Sequence, residues 1–549
     1  MLRRLGQGVA GAAVLIGVIT VAARLTGFGK QLALARTVGT NCLSTAYFTA
    51  NHIPNMVFEV VVGGALTGMV VPVLAAAAAR SSAADRATVG RITSALLTWV
   101  VAVLVPLAVV AALTAEPLIR LFTGQPDNCD AAAVVDVATR MLVVFAPQIP
   151  LYGVAVVLYG VLQAHRRFAG AAVAPLVSSI VMIVAYLLFV PLRGEVTDPL
   201  AVPRPAELVL SVGTTLGVLA LVLTVIGPAA RLGLRLRPTF RFPEGVGPVV
   251  RRLAVAGLAA LLAQQAAMAL TVVLANRGIG EGAIVVYNFA WAIYHVPYAV
   301  LALPIATTAF PMLSTRAQDG DTAGFAAASA ATSRAVLLVS GLAAGLLAAV
   351  ATPVARIFLD GAVSTVDPDE LTRAITLFAP GLAGYALMAH LGKVLYAAGH
   401  GRAAATGTVA GWLVMMAAQT VCALSMPPGW GTAGLALGAA VGMSAGGLVL
   451  AVAVLRLRGR AALRGIGRAG AAALLGGLAA YAAGAGVVAL SGAPEGVWAN
   501  VPPALLAGLA AAVLGGAVAV LVDRRDALAA LAKVRPGGRR EAIEERVDG

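Results

Sequence analysis

The chain of 549 residues is too apolar for an ordinary soluble protein. Hydrophobic residues make up 60% of it and charged residues 11%, with a mean hydropathy of +0.92 and a net charge of +15. A soluble domain carries about 25% charged residues, so the composition indicates membrane-spanning helices. The basic balance does not indicate a nucleic-acid partner, because aromatic residues are only 5% and the arginines are spread over many loops.

The predicted fold class is all-α, a polytopic membrane protein with 14 transmembrane helices. Uncharged stretches recur at the roughly 20 residues that a bilayer requires. One of them, 403–455, is too long for a single helix and is divided by the sequence Met-Pro-Pro-Gly-Trp-Gly at 426–431. In chain order the predicted helices cover residues 7–38, 44–76, 91–115, 133–162, 168–192, 207–229, 251–275, 283–312, 333–356, 372–398, 403–426, 432–455, 468–490 and 499–522.

The distribution of Lys and Arg predicts the orientation of these helices. With the N-terminus in the cytoplasm, 28 of these residues fall in inside segments and 6 in outside loops. Positive residues are retained on the cytoplasmic side of membrane proteins, so the count supports both the helix number and cytoplasmic termini. The first apolar segment runs on into a charged helix, which favours a first span over a cleaved signal peptide. We expect anionic lipids to be attracted to the basic inner loops.

Two parts of the chain repeat each other. A Phe-Ala-Pro motif at 145–147, with a tyrosine five residues later, recurs at an offset of 233 as 378–380 and Tyr385. A His-x-Pro motif at 52–54 recurs at an offset of 243, at 295–297. In a membrane protein such a repeat is typical of a transporter built from two related helix bundles with a site between them.

The repeat predicts two six-helix lobes and two additional C-terminal helices. Because each lobe has an even number of spans, both lobes should be related by an axis along the membrane normal. The arginine-rich segment between them is either a plain cytoplasmic loop or an amphipathic segment on anionic headgroups. The predicted boundaries are 1–228 for the N-lobe, 229–252 for the basic cytoplasmic linker, 253–456 for the C-lobe, 457–522 for helices 13 and 14, and 523–549 for a cytoplasmic tail.

Charged and polar residues inside the predicted spans are the candidate binding residues, because a charge at membrane depth costs roughly 2.5–3.5 kcal/mol. Arg24, Lys30 and Arg36 lie on helix 1, where Arg36 is near enough to the helix end to snorkel outward. Glu59 on helix 2 is either a structural ion-pair partner or a carboxylate that releases a cation in another conformation. Further polar candidates, expected to line a cationic cleft between the lobes, are Asn51, His52, Gln264, His295 and Lys393.

Cys42 and Cys129 both fall in predicted outside loops, where thiols can oxidise. They either form a disulfide bond that ties helices 1–2 to helices 3–4 or remain two unpaired thiols. Enzyme motifs are absent: the sequence contains no HExxH, no Walker loop and no Cys–His ligand cluster. We therefore expect no enzymatic activity, no metal and no cofactor.

Several segments carry a family resemblance, among them Arg-Leu-Thr-Gly-Phe-Gly-Lys at 24–30, Ile-Pro-Asn at 53–55, Val-Pro-Val-Leu at 71–74 and Gly-Val-Leu-Gln-Ala at 160–164. They resemble the MurJ/MviN lipid II flippases of the multidrug/oligosaccharidyl-lipid/polysaccharide exporter superfamily. The resemblance covers helices 1 to 12 and implies 14 helices in the bacterial plasma membrane. It also implies flipping of undecaprenyl-diphosphate-linked peptidoglycan precursor, a groove for the lipid tail at helices 13 and 14, and cell-wall synthesis proteins as candidate partners.

The chain departs from this family at several charged positions. Arg24 and Arg36 match family arginines, whereas Lys30 and Glu59 stand where arginines are usual, and 291–292 reads Trp-Ala in place of an Asp-Arg pair. Part of the cationic cleft is therefore missing or relocated. The alternatives are an exporter of another polyprenyl-linked glycan or an amphipathic drug, and a non-transporting cell-wall scaffold.

Overall fold

The structure, a computed structural model, describes most of the chain. The predicted beginning of helix 1, the second half of helix 2 and the tail after Arg524 lie outside the described residues. Those residues are 19, 22–60, 74, 83–124, 129–165, 167–194, 201–243, 246–360, 364, 366–492, 494 and 496–524.

The all-α prediction is confirmed. Across the described ranges the chain forms helices, connecting loops and one isolated β-bridge, between Thr40 and Ser364. Eleven helices in these ranges are long and apolar enough to cross a membrane, and a bent pair raises the number to twelve. This chain is a multi-pass membrane protein, while the total of 14 spans stays a prediction.

The chain folds into two compact units, of which the first comprises Met1–Val285 with Ala362–Val366. Its first helix, α1, covers residues 22–37. The helices that follow are α2 (Cys42–Val60), α3 (Ala83–Leu113), α4 (Ala115–Phe122), α5 (Ala131–Phe145), α6 (Gln148–Ala164), α7 (Phe168–Arg193), α8 (Arg204–Ala230) and α9 (Val246–Val273), which a π-helical turn extends to Ile279.

The second unit comprises Val286–Gly361 with Asp367–Gly549. The last four predicted spans agree with the structure to within three residues at each end; for example, the helix predicted at 403–426 is Gly401–Ser425. The helices are α10 (Ala283–Pro297), a π-helical turn (Tyr298–Ala302), α11 (Leu303–Gln318), α12 (Thr322–Ala349), α13 (Ala351–Leu359), α14 (Pro368–Phe378), α15 (Gly381–Ala397), α16 (Gly401–Ser425), α17 (Gly431–Arg458), α18 (Ile466–Leu490) and α19 (Val501–Val522).

The repeated Phe-Ala-Pro motif marks a helix break in each unit. The break lies between Phe145 and Gln148 in the first unit and between Phe378 and Gly381 in the second. Proline has no N–H group with which to continue the preceding helix, and in both units it is the N-cap residue of the next one. The two helices at the second break are bent by 44°.

Two short helices, α4 and α13, extend the repeat beyond what the sequence predicted. Each follows a long helix and precedes the helix that ends in Phe-Ala-Pro. The prediction placed a loop at 116–132 and continued helix 9 to residue 356. Both short helices are amphipathic rather than apolar throughout, with Arg120 and Arg356 in their last turns. A search for uncharged stretches does not detect such helices.

The end of α9 is anchored within the first unit. The Asn276 amide donates hydrogen bonds to the Thr49 hydroxyl at 2.9 Å and to the Phe122 carbonyl at 3.0 Å. The Gly282 N–H donates to the Thr45 hydroxyl at 3.1 Å. The first compact unit therefore includes α9, which the sequence prediction assigned to the C-lobe. The division into repeat-related lobes at 229–252 stays a prediction.

Small residues bring α18 into close contact with its neighbours in the second unit. A Cβ atom added at Gly341 of α12 would lie 2.6 Å from the Cβ of Ala473 on α18. One added at Gly476 of α18 would lie 2.9 Å from the carbonyl oxygen of Gly515 on α19. Because any larger side chain would separate these backbones, glycine is required for the packing of the last two helices.

Candidate functional site

The three basic candidates of the first helix lie on an unbroken segment of α1. Arg24 is exposed, whereas Lys30 and Arg36 are partly buried. Positions 27 and 29 are glycines with no described neighbour within 4 Å of an added Cβ. The helix continues through both glycines, so the six-residue spacing places the charges about 120° apart around it. Among these three cations, Arg24 is thus the exposed one, and Lys30 and Arg36 lie on other faces of α1.

Helix α2 carries two buried polar side-chain atoms that have no hydrogen-bond partner among the described residues. Within the described part of the chain, Asn51 Oδ1 and His52 Nε2 are buried and make no hydrogen bond. Enclosed polar atoms are nearly always satisfied, so these two can accept or donate to a bound polar group. Further along α2, Glu59 is exposed, and no ion pair to it occurs among the described residues. Its pairing with a helix-1 cation stays a prediction.

The two neighbouring glutamines of α9 differ in how far they are buried. Gln264, the candidate from the sequence, is partly exposed, whereas Gln265 is buried. The Gln265 amide nitrogen has no hydrogen-bond partner in the described ranges. Gln265 is therefore a second polar candidate on this helix, which the sequence reasoning did not select.

His295 belongs to an aromatic cluster in the second unit that the sequence reasoning missed. Its ring centroid lies 4.4 Å from that of Trp291, 5.7 Å from Tyr385 and 5.8 Å from Tyr298. The His295 Nδ1 lies 3.1 Å from the Trp291 carbonyl oxygen. Trp291, His295 and Tyr385 are partly exposed and give the cluster an accessible edge. The available signal was the aromatic spacing of α10, one residue per helical turn: Tyr287, Trp291, Tyr294 and Tyr298.

The repeat-related tyrosines occupy equivalent places in the two units. Tyr152 packs its ring 4.3 Å from that of Phe58 on α2 and donates a hydrogen bond to Asn55 at 3.3 Å. Tyr385 packs 4.5 Å from Tyr298, at the end of the corresponding helix of the second unit. In each unit, therefore, the tyrosine that follows the Phe-Ala-Pro motif packs against the helical segment that carries or follows the His-x-Pro motif.

Lys393 lies one turn after a buried histidine. His390 is fully buried, and its Nε2 lies 3.1 Å from the Thr332 hydroxyl. Its Nδ1 is also buried and has no hydrogen-bond partner among the described residues. Lys393 is partly buried, and no ion pair to it occurs in the described part of the chain, so its positive charge is available to a ligand.

A buried ion pair links α5 to α8 in the first unit. Arg140 donates to both carboxylate oxygens of Glu207, at 2.9 and 2.7 Å, and also pairs with Asp136. The Glu207 side chain is only 8% exposed and that of Arg140 is 27% exposed. The sequence reasoning treated Glu59 as the deep acid and did not single out Glu207, because a helix count carries no information on which helices are neighbours.

The two outer cysteines are joined in the structure. Cys42 begins α2, Cys129 lies just before α5, and their Cα atoms are 5.9 Å apart within a disulfide bond. This separation is inside the roughly 7 Å that a bridge requires. The bond ties the start of α2 to the connection between α4 and α5. Oxidation of the two thiols in the cell stays a prediction.

An apolar groove runs along α18 in the second unit. It encloses about 360 Å³ and borders α12, the break between α14 and α15, and α18. Its wall is almost entirely aliphatic or glycine, and one end carries a tyrosine. The lining side chains include Leu337, Ala344, Ala383, Leu474, Leu478 and Tyr481.

Comparison with known proteins identifies the family. A family model described as lipid II flippase MurJ matches residues 34–499. The chain belongs to the MurJ family. A probable lipid II flippase MurJ of Rhizobium tropici is 27% identical over 277 residues, 50% of each chain. The lipid II flippase MurJ of Burkholderia cenocepacia is 26% identical over 383 residues, 69% of this chain and 71% of the relative. The matched region thus spans half of the first relative.

Solved structures agree with the MurJ assignment at the level of the fold. A lipid II flippase MurJ in an inward closed conformation has a TM-score of 0.70 at 16% identity, covering 93% of this chain and 99% of that one. An inward-facing MATE family multidrug transporter of the MOP superfamily has a TM-score of 0.63 at 15% identity, covering 81% and 98%. The resemblance inferred from the sequence motifs is therefore confirmed.

Proposed function

We propose that this protein is a lipid II flippase, which carries undecaprenyl-diphosphate-linked peptidoglycan precursor from the inner to the outer leaflet of the bacterial plasma membrane. The observation that carries the proposal is the match of the lipid II flippase MurJ family model across residues 34–499. Transport proceeds by alternating access, with both termini in the cytoplasm as the Lys and Arg distribution predicts.

The diphosphate of the substrate is bound by the basic residues of α1. A diphosphate prefers Arg, whose planar group donates two parallel hydrogen bonds, and Lys as a point charge. Arg24 is exposed on α1, Lys30 is partly buried, and Arg36 lies about two turns further. The unpartnered atoms of Asn51 and His52 supply additional hydrogen bonds to the headgroup.

The sugars and the lipid tail are bound by surfaces of the second unit. The accessible edge formed by Trp291, His295 and Tyr385 offers aromatic faces against which the apolar face of a sugar ring can pack. A polyprenyl tail requires a continuous apolar surface, and the groove along α18 provides one. Lys393 contributes a further cation.

Three other functions are alternatives within the same fold. Export of another polyprenyl-linked glycan would use the same groove and the same cations. Export of an amphipathic drug would use Glu59 as the carboxylate that exchanges a cation, and it draws support from the MATE-like fold. A scaffold that binds cell-wall synthesis proteins without transport would tolerate the loss of Arg24.

Depletion in the native bacterium tests the proposal. Loss of the protein should cause lipid II to accumulate in the inner leaflet, and wild-type protein should restore its delivery to the outer leaflet. Arg24→Ala should fail to restore delivery, Arg24→Lys should restore part of it, and Arg402→Ala, which removes a charge from an exposed loop, should restore all of it. Accumulation of a different polyprenyl-linked glycan, or full rescue by well-expressed Arg24→Ala, would overturn the assignment.

A further inference from the structure

The basic linker is docked along α3 in an extended conformation. The Arg237 N–H donates to the Ser94 hydroxyl at 3.0 Å, and the Thr239 N–H donates to the Thr98 hydroxyl at 3.1 Å. Two extended residues advance about 6.6 Å and four helical residues about 6 Å. Alternate residues of segment 235–241 therefore meet successive turns on one face of α3, and the segment is fixed by its main chain.

The outward side of this segment is apolar. Leu236 is 48% exposed and Phe240 is 56% exposed. The Trp99 ring, 45% exposed, packs edge-on 5.3 Å from that of Phe240 and donates its indole N–H to the Phe240 carbonyl at 3.1 Å. The candidate membrane span of α3 runs from Ala87 to Leu113 and includes Trp99, so Trp99 and the Phe240 ring beside it lie along the first half of that span.

The inward side of the same segment surrounds a cationic cavity. The cavity has a volume of about 890 Å³, and the described residues that line it include no Asp or Glu. None of its arginines forms an ion pair with a described residue. Four cations around one volume attract an anion. The four are Arg91, Arg235, Arg237 and Arg241.

We propose that the linker cavity binds the phosphate headgroup of an anionic phospholipid of the cytoplasmic leaflet. Along the segment, arginines that line the cavity alternate with apolar residues, Leu236 and Phe240, that point outward. This alternation supports a phospholipid rather than a soluble anion as the ligand. A soluble anion would engage the arginines and leave this apolar side in water, whereas a phospholipid engages both sides. Binding holds the linker against α3. The site is independent of substrate flipping.

Lipid binding by the full-length protein tests the proposal. The purified protein is titrated with phosphatidylglycerol and with phosphatidylcholine, and retained lipid is counted by native mass spectrometry. The triple variant Arg235→Gln, Arg237→Gln, Arg241→Gln should bind phosphatidylglycerol roughly 100-fold more weakly, since each arginine near a lipid surface contributes about 1 kcal/mol. Its linker contacts with α3 use main-chain N–H groups and are retained.

A matched control separates the site from general attraction. The triple variant Arg402→Gln, Arg456→Gln, Arg460→Gln removes the same charge from other exposed inside positions and should retain wild-type affinity. Equal losses in both triple variants, or equal binding of phosphatidylcholine by the wild type, would refute a specific site. Displacement of the lipid by millimolar inorganic phosphate would identify a soluble anion as the occupant and overturn the proposal.

A second variant keeps the test informative if the triple variant folds poorly. Leu236→Ser with Phe240→Ser retains all four arginines and should weaken phosphatidylglycerol binding several-fold. Unchanged lipid affinity in a folded variant of this kind would contradict the role of the apolar side.

Discussion

Disruption of the Arg140–Glu207 pair should destabilise the first unit measurably. Removal of one partner from a fully buried pair costs about 3–5 kcal/mol, because the other charge is left desolvated. Here the Glu207 side chain is 8% exposed and that of Arg140 is 27% exposed, so water compensates part of the loss. Arg140 also retains Asp136 as a partner. For Glu207→Met we therefore expect a loss of about 2–3 kcal/mol in the free energy of unfolding.

A double-mutant cycle isolates this interaction. Unfolding of the purified protein in mild detergent is followed by circular dichroism for wild type, Arg140→Met, Glu207→Met and the double variant. The double variant should be more stable than Arg140→Met alone, because the buried Glu207 carboxylate is no longer left without its cation. The exposed pair Arg120–Glu116, with side chains 65% and 58% exposed, is the control and should couple by no more than about 0.5 kcal/mol. A coupling this small for Arg140 and Glu207 would refute the reasoning.

Four further predictions concern other parts of the molecule. Glu59→Gln should slow flipping or change its pH dependence in a vesicle assay if the carboxylate pairs with a cation, and unchanged rates across pH would reject that pairing. Trp291→Ala should weaken binding of the glycan headgroup while Trp291→Phe retains most of it; equal affinities for both variants would exclude stacking. Gly341→Leu should lower stability by about 1–3 kcal/mol or more, since its Cβ would lie 2.6 Å from a Cβ of α18, as thermal unfolding can show. Cys42→Ser should cost up to about 4.5 kcal/mol because the bond with Cys129 closes an 87-residue separation, and labelling of both wild-type thiols by an impermeant maleimide without reductant would show that they are unpaired.

The spanning helices were predictable because their signal is continuous along the sequence. The predicted helix at 168–192 is observed as Phe168–Arg193, and the one at 468–490 as Ile466–Leu490. Short helices such as α4 were not predicted, because an amphipathic segment of eight residues contains charged residues and is shorter than a membrane span. The length of an uncharged stretch therefore identifies a membrane-spanning helix, but it does not identify the short helices that connect such spans.

The candidate site was less predictable because it depends on rotation around helices and on contacts between them. Neighbouring residues differ by about 100° around a helix, so the sequence could not decide which of Gln264 and Gln265 is buried. Glu207 lies near the start of its helix and resembles an ordinary first-turn acid until Arg140 is placed beside it. The histidine and tyrosine repeats indicated internal duplication, and the structure adds that Tyr152 and Tyr385 make corresponding ring contacts in the two units.

The two Phe-Ala-Pro breaks differ in what resists their bending. In the first unit, the Gln148 amide donates to the Thr215 hydroxyl at 3.0 Å, and that hydroxyl donates to the Val144 carbonyl at 2.9 Å. The relay fastens the break to α8, and the two helices continue as a single span. In the second unit the position 233 residues later is Gly381, which has no side chain to donate, and the chain there bends by 44°. The duplicated motif thus gives one continuous span in the first unit and a bent pair of helices in the second, where the absence of a side chain at Gly381 lets the break pack directly on α17: an added Cβ would lie 2.6 Å from the Cα of Ala440.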